Sequence, residues 1–149
     1  MAEPYSVTVK INHKLGEVTR ETVQKGVKYT ATDLKAKLRK NAPVNKESGG
    51  GKLQGSIEMI PRGPYLFEYI GAKYLKWVND GTGIYGPHAT RIVPVHARFL
   101  RFEWKGRMWC LRSVKGQKGQ KFVEKSMQQE STRVQEFMNR AVLEAKAIL

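Results

Sequence analysis

The sequence predicts an α+β domain: a single mixed or antiparallel β-sheet with a β-hairpin, packed by two long amphipathic helices, one near each end. Three observations lead there. From Leu15 to Leu38 apolar residues recur at gaps of three to five, which traces one helical face. From Phe122 onward a second run alternates gaps of four and three. Between them lie short alternating segments separated by Gly, Pro, Asn and Asp, the mark of strands and turns. Helices and strands segregated in this way belong to the α+β class.

Taken in order, Ser6–Ile11 alternates and is β-branched, so a first strand is expected there, with Asn12 positioned to cap the helix that follows. Leu15, Val18, Val23, Val27, Ala31, Leu34 and Leu38 form the helix's apolar stripe. Pro43 disfavours helical backbone at Ala42 and ends it. Residues 45–52 hold three consecutive glycines and form a flexible loop, ending at Lys52. A phosphate-binding loop is excluded there, because Leu53 follows Gly51-Lys52 where Ser or Thr is required.

Leu53–Ile60 and Tyr65–Ile70 are expected as antiparallel neighbours across the turn Pro61-Arg-Gly-Pro64. Tyr74–Val78 reads as a further strand that stops near Asn79, since Asn79-Asp80-Gly81 is turn chemistry. Residues 79–90 then form a glycine-rich loop. Gly81, Gly83 and Gly86 spell G-x-G-x-x-G, but no helix opens at the third glycine, so the dinucleotide fingerprint lacks its anion-binding terminus.

Arg91–Val95 is expected to be β with Pro94 at an edge. Ala97–Val114 reads as a hairpin about Lys105-Gly106, with Trp104 facing Arg107, Phe102 facing Trp109 and Leu100 facing Leu111 on one apolar, buried face; Lys is not a favoured first residue of a primed turn, so a register shifted by one, which would flip every side chain, stays open. The other face pairs Glu103 with Met108 and Arg101 with Cys110, leaving Cys110 half-buried. A basic loop, Ser113–Lys121, precedes the last helix, whose seam is Met127, Ser131, Val134, Met138, Ala141, Ala145 and Ile148, supplemented by Phe137 and Val142. All 149 residues form one domain on this reading.

The formal charge is +14, and residues 61–121 hold 12 Lys/Arg against 3 Asp/Glu. Such a field attracts nucleic acid or an acidic protein surface. Basic and aromatic residues interleave from Arg98 to Arg112, a pattern compatible with sequence-independent DNA binding. No apolar run approaches the roughly 20 residues needed to cross a bilayer. The opening Met-Ala-Glu-Pro-Tyr lacks the basic and apolar regions of a secretory signal. A single cysteine, Cys110, excludes an internal disulfide framework and fits a reducing compartment. His88 and His96 are eight apart and His13 is distant, so no metal-ligand spacing is present. No nucleophile–base pair or clustered carboxylates stand out, and neither an enzyme nor a cofactor is expected.

Four pieces taken together resemble a known family. They are Asn41-Ala-Pro-Val44 leading to Leu53-Gln-Gly-Ser-Ile57; Tyr74-Leu-Lys-Trp-Val-Asn-Asp-Gly-Thr-Gly83; Leu100-Arg-Phe102; and Gly116-Gln through Phe122 opening the last helix. Their order is similar to that of the tail-completion, or neck, minor proteins of long-tailed bacteriophages. The chain departs from that pattern in a longer glycine-rich loop after Val44, a heavier aromatic hairpin, and Lys121 where the family often has Pro.

The resemblance implies a non-catalytic virion component at the head–tail junction, present in host cytoplasm during assembly. It implies a tail-terminator-like fold that forms rings, commonly hexameric. The implied partners are further copies of the chain, the head–tail connector, tail-tube or terminator proteins, and genomic DNA in passing, with no membrane. On it, Trp77, Asn79, Asp80, Gly81, Thr82, Gly83 and Tyr85 are candidate assembly contacts, together with Lys52 in the earlier loop. Arg98, Arg101, Lys115, Lys118 and Lys121 are candidates for a basic contact surface.

Overall fold

The computed structural model describes residues 5–8, 19–44 and 50–147. It is α+β, with long helices and two small antiparallel sheets. The chain divides into two compact units: residues 1–73 with 122–149, and residues 74–121.

In the first unit the long helix α1 spans Arg20–Asn41. Thr19 caps it, its hydroxyl accepting from the Thr22 amide at 3.3 Å, while Glu21 in the first turn and Arg39 and Lys40 in the last suit the helix dipole. Asn12, Leu15 and Val18 lie outside the described residues. Ala42 is extended (ψ 131°), as the following Pro43 requires, and its amide closes on Leu38 O at 3.0 Å. Of the expected stripe, Val27, Ala31, Leu34 and Leu38 are within the core and Val23 is half-buried. Each of the larger ones contributes roughly 2 kcal/mol on burial.

The three-stranded sheet has the order β1 (Tyr5–Thr8), β3 (Leu66–Ile70), β2 (Glu58–Pro61), antiparallel throughout. The expected extension of β1 to Ile11 falls outside the described residues. β2 and β3 form the predicted hairpin, with Met59 opposite Tyr69 and Ile60 opposite Glu68. Phe67 and Tyr69 are buried, and the Tyr69 hydroxyl donates to Ala31 O of α1 at 2.8 Å. The segment expected as one strand from Leu53 is instead split. Lys52–Ser56 forms a short helix, α2, that buries Leu53, and only Glu58 onward is strand. The Ser56 hydroxyl marks the change, donating to Leu53 O and accepting from the Ala72 amide.

The last helix is two helices, α4 (Phe122–Ser131) and α5 (Val134–Lys146), both packed on α1. The break follows Ser131, whose hydroxyl turns back to Gln128 O, as that of Thr132 does to Gln129 O. It rotates the seam. Met138, Ala141 and Phe137 are buried as expected, but Met127 and Ser131 are exposed, and Phe122, Val123 and Ser126 take their place; Ile148 lies outside the described residues. Gly26 of α1 allows the approach of α5, since a Cβ there would stand 2.4 Å from Met138 Sδ.

Two polar clusters tie these helices. Glu144 of α5 accepts from Tyr29 at 2.7 Å and Arg140 at 2.9 Å, with Lys25 at 2.6 Å. Those three hydrogen bonds hold its carboxyl down to about 2. Glu130 of α4 is buried; Lys37 contacts it at 2.5 Å and also reaches Asp33 at 2.9 Å, as does Arg133. Burial pushes Glu130 up, because a desolvated carboxylate is disfavoured.

The second unit contains α3 (Leu75–Asp80), a 3₁₀ turn at Gly83–Tyr85, and the hairpin β4 (Leu100–Trp104) with β5 (Arg107–Leu111). Its strands form a sheet of their own, so the single sheet expected from the sequence is two.

Candidate functional site

Every assembly candidate except Lys52 lies in the second unit. Lys52 starts α2 in the first and is exposed, while residues 45–49 of the loop before it lie outside the described residues.

The stretch Tyr74–Val78 is not a strand. It opens α3, because five alternating residues also fit a helical turn and a half. Leu75 and Asn79, four apart, are both buried while Lys76 and Trp77 are exposed. Gly81 ends the helix at φ 92°, with its amide on Trp77 O at 2.9 Å. Asn79 is therefore an interior residue, not a contact loop. It is fully buried, its amide group donates to Asp80 Oδ1 at 2.9 Å, and its carbonyl accepts from the Lys121 amide at 3.0 Å.

The glycine-rich loop is zipped to the basic loop. Thr82 N donates to Gln117 O and Ile84 N to Lys115 O, both at 2.8 Å, and Gln120 N donates to Val78 O at 2.9 Å. The Thr82 hydroxyl accepts from Gln117 N at 3.0 Å. Glycine is needed on both sides of this clasp. A Cβ on Gly83 would lie 2.1 Å from Lys115 O, and one on Gly116 would lie 2.1 Å from Thr82 O. So all three G-x-G-x-x-G glycines serve close backbone packing, and Gly81 and Gly83 also hold positive φ, as turn chemistry predicts. Lys118 sits 5.7 Å from the Tyr85 ring centroid, and Lys121 Nζ is 3.7 Å from Asp80. Lys115, Lys118 and Lys121 are all exposed along this one segment.

Beside the clasp is a half-open cleft of about 780 Å³. Trp77, Asp80, Gly81, Thr82 and Gly83 line it, which unites five of the sequence candidates; Asn79 and Tyr85 are not among the lining residues. Lys76, Arg91 and Ile92 also line it and were not singled out by the sequence reading. The strand expected at Arg91–Val95 shrinks to one bridge, Ile92 with Val114, each amide on the other's carbonyl at 3.0 Å. Pro94 lacks the amide that a longer ladder would use.

The hairpin register is the predicted one at every pair from Leu100–Leu111 to Trp104–Arg107. Lys105 (φ 51°) and Gly106 (φ 71°) are both left-handed, the signature of a primed two-residue turn. The burial expectation fails, however. Every residue from Arg101 to Cys110 is exposed, including Trp104 and Met108, and the Cys110 thiol with them. Alternation fixed which side chains share a face, but no partner for that face is supplied by the hairpin itself. Trp104 and Trp109 tilt together, ring centroids 6.2 Å apart, with Lys105 5.1 Å from the Trp104 ring. Arg98 precedes β4 and Arg101 lies on it, both exposed.

Residues 74–121 hold ten Lys/Arg against two acids, an excess of eight. Among the described residues, 18 large apolar side chains stand exposed, and 12 of them belong to this unit of 48 residues. Among the described residues no group of three or more His, Cys, Asp or Glu side chains is arranged to hold a metal ion. No described helix is long and apolar enough to cross a membrane.

No family model, curated protein or solved structure matches the chain.

Proposed function

We propose that this protein is a structural subunit of the neck of a long-tailed bacteriophage, completing the tail and joining it to the head as part of a ring. The resemblance in motif order motivates the reading. The observation that carries it is the concentration of exposed apolar side chains in residues 74–121, which an isolated subunit leaves in water and an assembly covers. A heterologous contact repeated around an axis closes into a ring. The residues proposed for contact are those of the cleft and the hairpin: Trp77, Asp80 and Thr82 on one, Phe102, Trp104 and Met108 on the other. No step of chemistry is assigned to it.

Native mass measured across a concentration series tests this. A discrete closed oligomer, weakened by Trp104→Ala, is expected. A monomer at every concentration that also fails to bind isolated phage heads or tails would overturn it.

A second reading, sequence-independent DNA binding, is favoured by the charge excess and by the tryptophan pair flanked by Lys105 and Arg107. Affinity for a DNA duplex that falls steeply with salt would support it. Affinity unchanged by salt would exclude it.

A further inference from the structure

We propose that the outer edge of β5 receives an extended, acidic strand of a partner protein, adding a third strand to the β4–β5 sheet. The proposal rests on the hairpin's own geometry and does not depend on the neck reading.

Trp104 and Arg107 close a two-residue turn, so they form a hydrogen-bonded pair. The pairs then alternate. Phe102–Trp109 and Leu100–Leu111 also bond across the ladder, while Arg101–Cys110 and Glu103–Met108 do not. The amides and carbonyls of Arg101 and Glu103 therefore point out from β4, and those of Met108 and Cys110 point out from β5. Neither strand pairs with a third among the described residues.

The two edges differ. The outward positions of β4 carry Arg101 and Glu103, and charged side chains are how proteins blunt an edge. The outward positions of β5 carry Met108 and Cys110, uncharged and exposed, with Met108 at 59%. This is an open template for β-augmentation.

Charge and shape select the occupant. The unit's excess of eight positive charges repels a second copy presenting the same edge and attracts an acidic chain. Nucleic acid shares that attraction but stacks on aromatic rings. A polypeptide strand, unlike a base, carries the alternating amides and carbonyls that match the outward groups of Met108 and Cys110. A strand alternating acidic and branched apolar residues satisfies the edge amides, the uncharged Met108 and Cys110 side chains and the charge together.

Amide exchange of the full chain is the test, with an end-blocked decapeptide alternating glutamate and valine as the probe. The Met108 and Cys110 amides should slow at least tenfold, and the lysine–valine counterpart should have no such effect. Met108→Pro removes one outward amide without touching the ladder and should abolish the protection. Cys110→Glu places a carboxylate opposite Arg101, a favourable cross-strand pair, yet repels the probe, and should weaken binding about tenfold. The exciton couplet of Trp104 and Trp109 reports whether each variant keeps its hairpin. The proposal is overturned by absence of protection with the acidic peptide, by equal protection with the lysine peptide, by tighter binding of a thymidine oligonucleotide, or by protection from self-association alone.

Discussion

At the scale of single residues, the glycines of the second unit divide by what surrounds them. Gly83 has φ 64°, and a Cβ added to it would meet the Lys115 carbonyl at 2.1 Å. That neighbour is backbone, so it cannot rotate away. Gly83→Ala combines a left-handed alanine with a backbone clash and should destabilise the protein by about 3 kcal/mol. Gly55 in α2 offers the contrast: open space surrounds its Cβ position and its φ is ordinary. Gly55→Ala should stabilise by about 0.5 kcal/mol through the unfolded chain's lost freedom. Chemical denaturation of the two variants checks both signs, and equal effects would refute the clasp. The sequence marked Gly81 and Gly83 as turn residues, but their partnership with Gly116 and Gly119 lay more than thirty positions away. The matching pairs of small residues were visible; their contact was not.

At the scale of elements, the hairpin was the most legible part of the chain and α3 the least. A two-residue turn at Lys105-Gly106 unites the apolar side chains, so Leu100–Leu111 through Trp104–Arg107 was the pairing favoured over a register shifted by one, and it is the one found. The turn itself is suboptimal, because Lys105 holds φ 51° in a region that asparagine tolerates better. Lys105→Asn should raise the stability of the hairpin by about 0.5 kcal/mol, seen as slower exchange of the Trp104 and Arg107 amides. No change, or faster exchange, would mean the turn is held by contacts beyond its own dihedrals. Tyr74–Val78 failed because alternation over five residues does not separate a period of 2 from one of 3.6. The burial of both Leu75 and Asn79 reveals the helical spacing.

At the scale of the whole molecule, acid stability follows from two glutamates with opposite shifts. Glu144 is held to about 2 by its hydrogen bonds to Lys25, Tyr29 and Arg140, against an ordinary 4.5. A depressed carboxyl adds stability above the ordinary value, and that stability is lost as pH falls from 4.5 toward 2. Glu130 is raised, first by its burial. Its contribution runs the other way: full below about 4.5, and declining as pH rises through its elevated value. The two windows do not overlap. Thermal melts from pH 2 to 7 should show Glu144→Gln losing less stability than the parent below pH 4.5, with parallel curves above it. Parallel curves at all pH would sink the assignment. Both clusters join α1 to the C-terminal helices, so their titration acts on the first unit's helix packing.

The sequence by itself determined the α+β class, the buried stripe of α1, the β2–β3 hairpin and the register of β4 with β5. Each rests on a local period or a turn, and local periods are written in neighbouring residues. Only the tertiary structure decided the rest: the break between α4 and α5, the division of the strands into two sheets, the burial of Asn79, and the exposure of the aromatic hairpin. Burial depends on which surfaces meet across long stretches of chain, and alternation says only that two side chains share a face. The assembly candidates show the same division, since Trp77, Asp80, Gly81, Thr82 and Gly83 do gather at one cleft, whereas Asn79 is drawn inside by backbone partners forty residues on.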